Sequence, residues 1–243
     1  RIPHLVAAVI LADVWRPLVT PWRLLATNRM CLRRLQPCTA SDVAVRCRAV
    51  MDDSKIRSTI EQSIETKKLF LNQCVPSLRE LSELAVNTLK GGGKIMLCGN
   101  GGSSCDAAHA AGELVGWFEH KQRPGYAAMA LGHQVPSLTA IGNDAGYEHV
   151  FRREVEAIGK PGDLLVGITT SGGSKNVLLA MQQARQMEIK TALLCGEKRG
   201  ACAEHADVAV HVPSTNTARI QESHLVCVHI VCAAVEEALG GAD

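Results

Sequence analysis

Short apolar segments alternate with stretches of helical periodicity along most of this chain, and this alternation limits the fold more than any other feature. Each apolar segment has the length of a buried strand and is bounded by glycine or polar residues. Strands that alternate with helices pack into a sheet covered on both faces. The sequence therefore predicts a doubly wound α/β fold with a five-stranded, mostly parallel sheet, with strands at 94–98, 127–131, 164–169, 191–195 and 207–212 and helices near 104–116, 147–158, 175–187 and 219–239.

The segment before the first strand is helical in its spacing. Isoleucine and leucine recur every three or four residues over much of the stretch between Ile56 and Leu89, and three glycines at 91–93 end the pattern. Pro76 lies inside it. Because proline cannot donate a helical hydrogen bond, Pro76 is predicted to mark a break or the first turn of a second helix.

Residues 1–50 differ in composition from the rest of the chain. They contain eight Arg, no Lys and two acidic residues, which gives a balance of +6. Of the 26 basic and 24 acidic residues in the chain, 18 and 22 therefore fall within 51–243, a balance of −4. Two interpretations of 1–50 stay open: an Arg-rich transit peptide, or a non-native or disordered extension translated ahead of a start codon at Met51. Residues 51–243 are predicted to form one domain.

Composition also disfavours several classes of partner. The longest apolar runs, 5–11 and 225–235, are much shorter than the ~20 residues that span a bilayer, so no membrane partner is expected. The acidic balance of 51–243 argues against direct nucleic-acid binding. The ten cysteines form no Cys-x-x-Cys pair and lie mostly in apolar segments, which predicts reduced, buried thiols in a cytoplasmic protein.

Two loops of similar composition each join a predicted strand to a predicted helix. They are 99-GNGGSS-104 and 169-TTSGGS-174. Ligands bind at this edge of open α/β sheets, where glycines let backbone N–H groups approach an anion and hydroxyls add donors. One such loop alone is most often a helix N-cap, but two on the same edge predict a phosphate cradle. Neither loop matches a Walker A or dinucleotide-binding motif, so nucleotide binding is not indicated.

His109 and Glu113 lie four residues apart on the helix after the first loop, and so share one face. A pair of this kind serves as two metal ligands, as an acid/base pair or as a surface ion pair. The last predicted helix adds Gln221 and His229, about 80° apart on a regular helix, which converge only if Gln221 lies in the first turn. The residues thus indicate a phosphate-bearing small molecule with His109, Glu113 and His229 nearby, and they leave the reaction open.

From Met51 to about Leu239 the chain resembles the sugar isomerase (SIS) domain family. The resemblance rests on four motifs in the family's order, and residues 1–50 have no part in it. The motifs are CGNGGSSCDAAHAAGEL at 98–114, TAIGNDAGYEHVF at 139–151, GDLLVGITTSGGSKNV at 162–177 and ARIQESHLVCVH at 218–229. It implies the SIS fold and a homotetramer, with N-terminal helices that pack between subunits and a site at the subunit interface.

The resemblance also implies the roles of individual residues. Glu113 and His229 would be catalytic. One zinc ion per subunit would be bound by His109, Glu113, Gln221 and His229. The phosphate would be held by Thr169, Thr170, Ser171 and Ser174, and the rest of the substrate would contact Asn100, Gly101, Gly102, Glu113, Asn143, Asp144 and Gln221.

The implied reaction is an aldose–ketose isomerisation, from sedoheptulose 7-phosphate to D-glycero-D-manno-heptose 7-phosphate, in the formation of heptose and lipopolysaccharide precursors. Glu113 would move a proton between C1 and C2, His229 would serve the oxygens, and zinc would stabilise negative charge. The alternative is a phosphosugar sensor or adaptor protein without catalysis. The joint presence of His109, Glu113, Gln221 and His229 favours the enzyme, since a sensor needs only the cradle.

Overall fold

The structure is a computed structural model that describes residues 51–240. Its elements, in chain order, are α1 (Asp53–Lys90), β1 (Ile95–Gly99), α2 (Gly102–Val115), β2 (Ala128–Ala130), α3 (Val135–Asp144), a 3-10 turn (Tyr147–His149), α4 (Val150–Ile158), β3 (Leu164–Thr169), α5 (Lys175–Gln186), β4 (Lys190–Cys195), a second 3-10 turn (Ala201–His205), β5 (Val208–His211) and α6 (Thr217–Leu239). The predictions made for residues 1–50 lie outside the described residues.

All five strands pair in parallel, in the order β2-β1-β3-β4-β5. The strands at 94–98, 127–131, 164–169, 191–195 and 207–212 were each predicted within two residues of their observed ends. Side chains alternate between the two faces of a strand. Leu97 and Val166 therefore pack with α1, α2 and α6, whereas Met96 and Leu165 pack with α4 and α5. The doubly wound parallel prediction is confirmed.

The strand order contains a reversal of direction beside β1. The chain passes from β1 to β2 on one side, and then crosses back to place β3 on the other side of β1. The loops that leave the carboxyl ends of β1 and β3 consequently diverge and leave a crevice between them. These are the two glycine-rich loops that the sequence singles out.

The prediction of a break at Pro76 is wrong, because α1 continues without interruption from Asp53 to Lys90 with Pro76 inside it. Proline removes the hydrogen bond that residue 76 would donate to the carbonyl of Asn72. Tertiary packing offsets this cost, since Phe70, Cys74 and Leu78 are buried on either side of the proline.

Two further features differ from expectation. Helix α3, which was not predicted from the sequence, is short, and its side chains are all at least partly exposed. Cys105 is exposed, whereas the other six cysteines of residues 51–240 are buried; all seven are free thiols. Within this range no helix is both long and apolar enough to cross a membrane.

Candidate functional site

The first glycine-rich loop brings the starts of α2 and α6 into contact. Gly101 caps α2 with a φ of 57°, a backbone conformation that side chains with a Cβ rarely adopt. A Cβ added to Gly102 would lie 2.2 Å from Nε2 of Gln221. Both positions therefore need glycine for steric reasons. Gly101 permits the turn, and Gly102 lets the Gln221 side chain approach the backbone.

A cavity of about 210 Å³ opens between the two loops. Hydroxyl groups dominate the part formed by the second loop, and Oγ1 of Thr169 lies 2.8 Å from Oγ of Ser174. Because Ser174 caps α5, the N-terminus of that helix also faces this region. The cavity is lined by Asn100, Ser103, Ile168, Thr169, Thr170, Ser171, Ser174, Thr217 and Gln221. All four residues predicted to hold phosphate are among them.

A network of amides that the sequence analysis missed holds Asn100 at the cavity wall. The Asn100 and Asn176 side chains exchange two hydrogen bonds, of 2.9 and 2.8 Å. The Tyr147 hydroxyl donates a third, at 3.0 Å, to Oδ1 of Asn100. Both partners lie within the motifs quoted above, but their positions alone do not reveal a contact that spans 76 residues in one case and 47 in the other.

Three predicted site residues meet on the side of the sheet where α2 and α6 cross. Nε2 of His109 lies 3.1 Å from Nε2 of His229 and 3.1 Å from Oε1 of Glu113. The ring of Phe118 stacks obliquely on His229, with centroids 5.4 Å apart. The side chains of His109 and Glu113 are 41% and 25% exposed, so a solute can reach them.

The remaining predicted residues, Gln221, Asn143 and Asp144, lie outside the contacts that join His109 to Glu113 and His229. Gln221 lines the cavity, and its side-chain amide lies against Gly102. Asn143 and Asp144 end α3, hydrogen-bond to each other at 2.7 Å, and do not line the cavity that residues 51–240 form. Across the same residues, no group of three or more His, Cys, Asp or Glu side chains is arranged to hold a metal ion.

Asp106, one turn before His109 on α2, is a further polar residue of this region. Burial raises the pKa of its carboxyl group, while His109 acts in the opposite direction. One of its oxygens is buried without a hydrogen-bond partner among the described residues. The burial of this carboxylate could not be predicted from the sequence, because it depends on the tertiary neighbours of the helix.

Residues 55–196 match the family model described as SIS domain. A protein of Leptospira biflexa named phosphoheptose isomerase is 43% identical over 192 residues, which cover 79% of this chain and 98% of that protein. A solved phosphoheptose isomerase from Neisseria gonorrhoeae is similar with a TM-score of 0.72 and 38% identity, over 76% of this chain and 98% of that one. A second, from Francisella tularensis, has a TM-score of 0.73 and 37% identity, over 76% and 97%.

Proposed function

The chain belongs to the SIS domain family, and we propose that it is a phosphoheptose isomerase, which interconverts sedoheptulose 7-phosphate and D-glycero-D-manno-heptose 7-phosphate. Its relatives of that name match it over nearly their whole length. The observation that carries the proposal is the contact of Gly102 with Gln221, because it joins the hydroxyl-lined cavity to the two helices that bear His109, Glu113 and His229.

The cavity suits the phosphate end of such a substrate. Thr169, Ser171 and Ser174 offer hydroxyl donors, and the start of α5 adds backbone N–H groups and the positive end of a helix dipole. No lysine or arginine lines the cavity within the described part of the chain. Recognition therefore rests on neutral donors, which orient a phosphate by hydrogen-bond geometry.

We assign proton transfer to the His109–Glu113–His229 cluster. Isomerisation moves one proton between C1 and C2 and a second between the two oxygens, so it requires a base at carbon and an acid or base at oxygen. Glu113 is the only carboxylate in the cluster and serves as the base at carbon. His229 serves the oxygens, and its contact with Phe118 fixes the plane of its ring.

The donor chemistry of this cluster suits zinc. Two imidazoles and a carboxylate are a common ligand set for catalytic zinc, and His109 lies within 3.1 Å of the other two side chains, although the three do not stand in a metal-binding arrangement in this structure. His109, Glu113, Gln221 and His229 would hold the ion. A bound zinc ion would stabilise negative charge on the substrate oxygens.

We further propose an oligomeric state and a cellular location for the protein. The first turns of α1 are exposed on all sides, and Ile56, Ile60 and Ile64 are 44%, 55% and 50% exposed at a spacing of four residues. Such an apolar stripe marks a protein interface, which supports a homotetramer built around α1. The buried free thiols support a reducing cytoplasmic location, where the product would enter heptose and lipopolysaccharide precursor synthesis.

One experiment separates an isomerase from a sensor of the same fold. The full chain is incubated with sedoheptulose 7-phosphate, with and without added zinc, and the aldose is followed by ¹³C NMR. We expect turnover that rises with zinc. Saturable binding of the sugar phosphate without any aldose signal would contradict the proposal and would assign the chain to the sensors.

A further inference from the structure

A buried ion pair lies behind the His109–Glu113–His229 cluster. Arg123 is 5% exposed and Glu236 is 2% exposed, and Nε of Arg123 donates to Oε1 of Glu236. The Glu236 carboxylate also accepts three backbone N–H groups, from residues 118, 119 and 120, at 3.0, 2.8 and 3.0 Å. One carboxylate of α6 thus anchors the segment that follows α2.

The guanidinium of Arg123 holds the end of α2 itself. Nη2 donates to the carbonyl of Glu113 at 2.6 Å, and Nη1 donates to the carbonyl of Leu114 at 3.0 Å. Carbonyls in the last turn of a helix have no partner within the helix, so external donors determine where that turn lies. The aromatic ring of Tyr126, 4.4 Å from the guanidinium carbon, closes the other side of the group.

Both contacts end on residues of the site. The backbone that Arg123 holds is that of Glu113, and the backbone that Glu236 holds is that of Phe118, whose ring packs on His229. Glu236 and His229 lie on the same helix, about two turns apart. The ion pair therefore ties the positions of Glu113 and His229 to each other through two short chains of contacts.

We propose that Arg123 and Glu236 are positioning residues for the isomerisation, which set the separation of Glu113 and His229. This inference rests on the proposed function and deepens it. A displacement of about 1 Å at reacting groups can lower a rate by about a hundredfold. The hydroxyl groups proposed to hold the phosphate lie instead on the 169–174 loop after β3. The ion pair should therefore affect kcat and leave KM nearly unchanged.

The pair stays ionised at every pH at which the enzyme would work. Burial opposes the charge on Glu236, but the hydrogen bonds from Arg123 and from the three backbone N–H groups outweigh it and lower the pKa of Glu236 to about 2. Removal of one partner would leave the other charge buried and uncompensated, which commonly unfolds a protein. The test therefore pairs an isosteric variant that removes the negative charge with a second variant that keeps both charges and the fold.

A second buried carboxylate provides a matched control at the opposite edge of the sheet. Asp163 accepts the backbone N–H groups of Lys94 and Lys160, at 2.9 and 2.8 Å, and the Lys94 ammonium at 2.5 Å. It lies at the amino end of β3, a strand length of about 20 Å from the cavity. Its network resembles that of Glu236 but touches no residue of the site.

The experiment compares Glu236→Gln, Arg123→Lys and Asp163→Asn with the wild-type full chain. For each, kcat and KM for sedoheptulose 7-phosphate are measured, and amide hydrogen exchange is followed in the peptide that spans 116–126. We expect kcat to fall by about ten- to a hundredfold in the first two variants with KM changed less than about twofold, and exchange to accelerate in that peptide. Arg123→Lys keeps the charge pair, so it tests the carbonyl contacts in a folded chain.

Asp163→Asn should lower the melting temperature while its kcat stays within about twofold of wild type, because stability alone does not move the catalytic groups. Faster exchange at 116–126 in Glu236→Gln or Arg123→Lys with an unchanged kcat would overturn the positioning role. So would a loss of kcat in Asp163→Asn equal to theirs. A wild-type chain that binds the substrate without turnover would instead refute the proposed function, and this inference with it.

Discussion

Nε2 of His109 lies 3.1 Å from Nε2 of His229, although 120 positions separate the two residues in the chain. The contact arises because α2 and α6 pack on the same face of the sheet, each starting at its carboxyl edge. Each imidazole is held by its own helix, so the distance between them is a property of helix packing. Whatever moves one helix against the other changes the chemistry that the pair can perform.

Glu113→Gln should abolish most turnover while binding persists. The amide keeps the shape of the side chain but cannot accept a proton from carbon, so we expect kcat to fall by about 10²- to 10⁴-fold. Isothermal titration with sedoheptulose 7-phosphate should give a Kd near that of wild type. Glu156→Gln, on an exposed ion pair with Arg153, is the control and should retain full activity. Ordinary turnover in Glu113→Gln would remove this carboxylate from the mechanism.

Zinc binding should depend on the His109 side chain. Dialysis against a chelator should lower the activity of the wild-type chain, and re-addition of zinc should restore it. His109→Asn removes an imidazole ligand, so its zinc content, measured by inductively coupled plasma mass spectrometry, should drop well below one ion per subunit. His120→Asn, at an exposed position of the following loop, should keep its zinc. Full occupancy in the His109 variant would contradict the assignment.

Ser174→Ala should weaken binding of the substrate's phosphate group. The substitution removes a hydroxyl that lines the cavity and lies 2.8 Å from Oγ1 of Thr169. One lost hydrogen bond to a charged group is worth about 1.5–3 kcal/mol, so KM should rise by about ten- to a hundredfold. Ser77→Ala, where the hydroxyl bonds only to the carbonyl of Cys74 in α1, provides the comparison. An unaltered KM in Ser174→Ala would place the phosphate elsewhere.

The sheet and its two loops could be predicted from the sequence because their determinants are local. A buried strand such as 164–169 is mostly apolar and is bounded by turn residues, and the loop that follows it is recognisable by its glycines and serines. Long-range contacts leave no such local trace. The bond from Tyr147 to Asn100 and the pairing of Arg123 with Glu236 depend on how distant elements pack.

Local rules failed where packing overrode them. Pro76 disfavours a helix by itself, yet the burial of Phe70 and Leu78 around it keeps α1 continuous. Helix α3 was missed for a different reason, since it is short and its apolar residues Leu138 and Ile141 are only partly buried against the core. The shared face of His109 and Glu113 followed from spacing, but the contact of His109 with His229 did not.

Ile60→Asp should break the subunit assembly. Ile60 is 55% exposed in the middle of the apolar stripe on α1, and a carboxylate buried at an interface is costly. Size-exclusion chromatography with light scattering should show the proposed wild-type tetramer replaced by smaller species. Gln62→Asp adds the same charge at an exposed polar position of α1 and should leave the mass unchanged. Equal masses for both variants would show that the stripe is not an interface.

His224 should make the protein less stable in mild acid. Burial lowers the pKa of its imidazole to about 4, from the usual 6.5. Between these values the unfolded chain binds a proton that the folded chain does not, so the free energy of unfolding falls as pH falls below 6.5. The contribution of this group alone is about 1.3 kcal/mol between pH 7.5 and 5.5. Urea unfolding at the two pH values measures it.

His224→Leu fills the same site with a group that does not titrate, so its stability should depend less on pH by about that 1.3 kcal/mol. His120→Gln removes an exposed imidazole and should keep the wild-type dependence. The comparison isolates His224 because wild type and His224→Leu share every other titratable group. If His224→Leu lost stability between pH 7.5 and 5.5 as steeply as wild type, the folded imidazole would already accept a proton near neutrality, and the apolar packing around it would have to open to water.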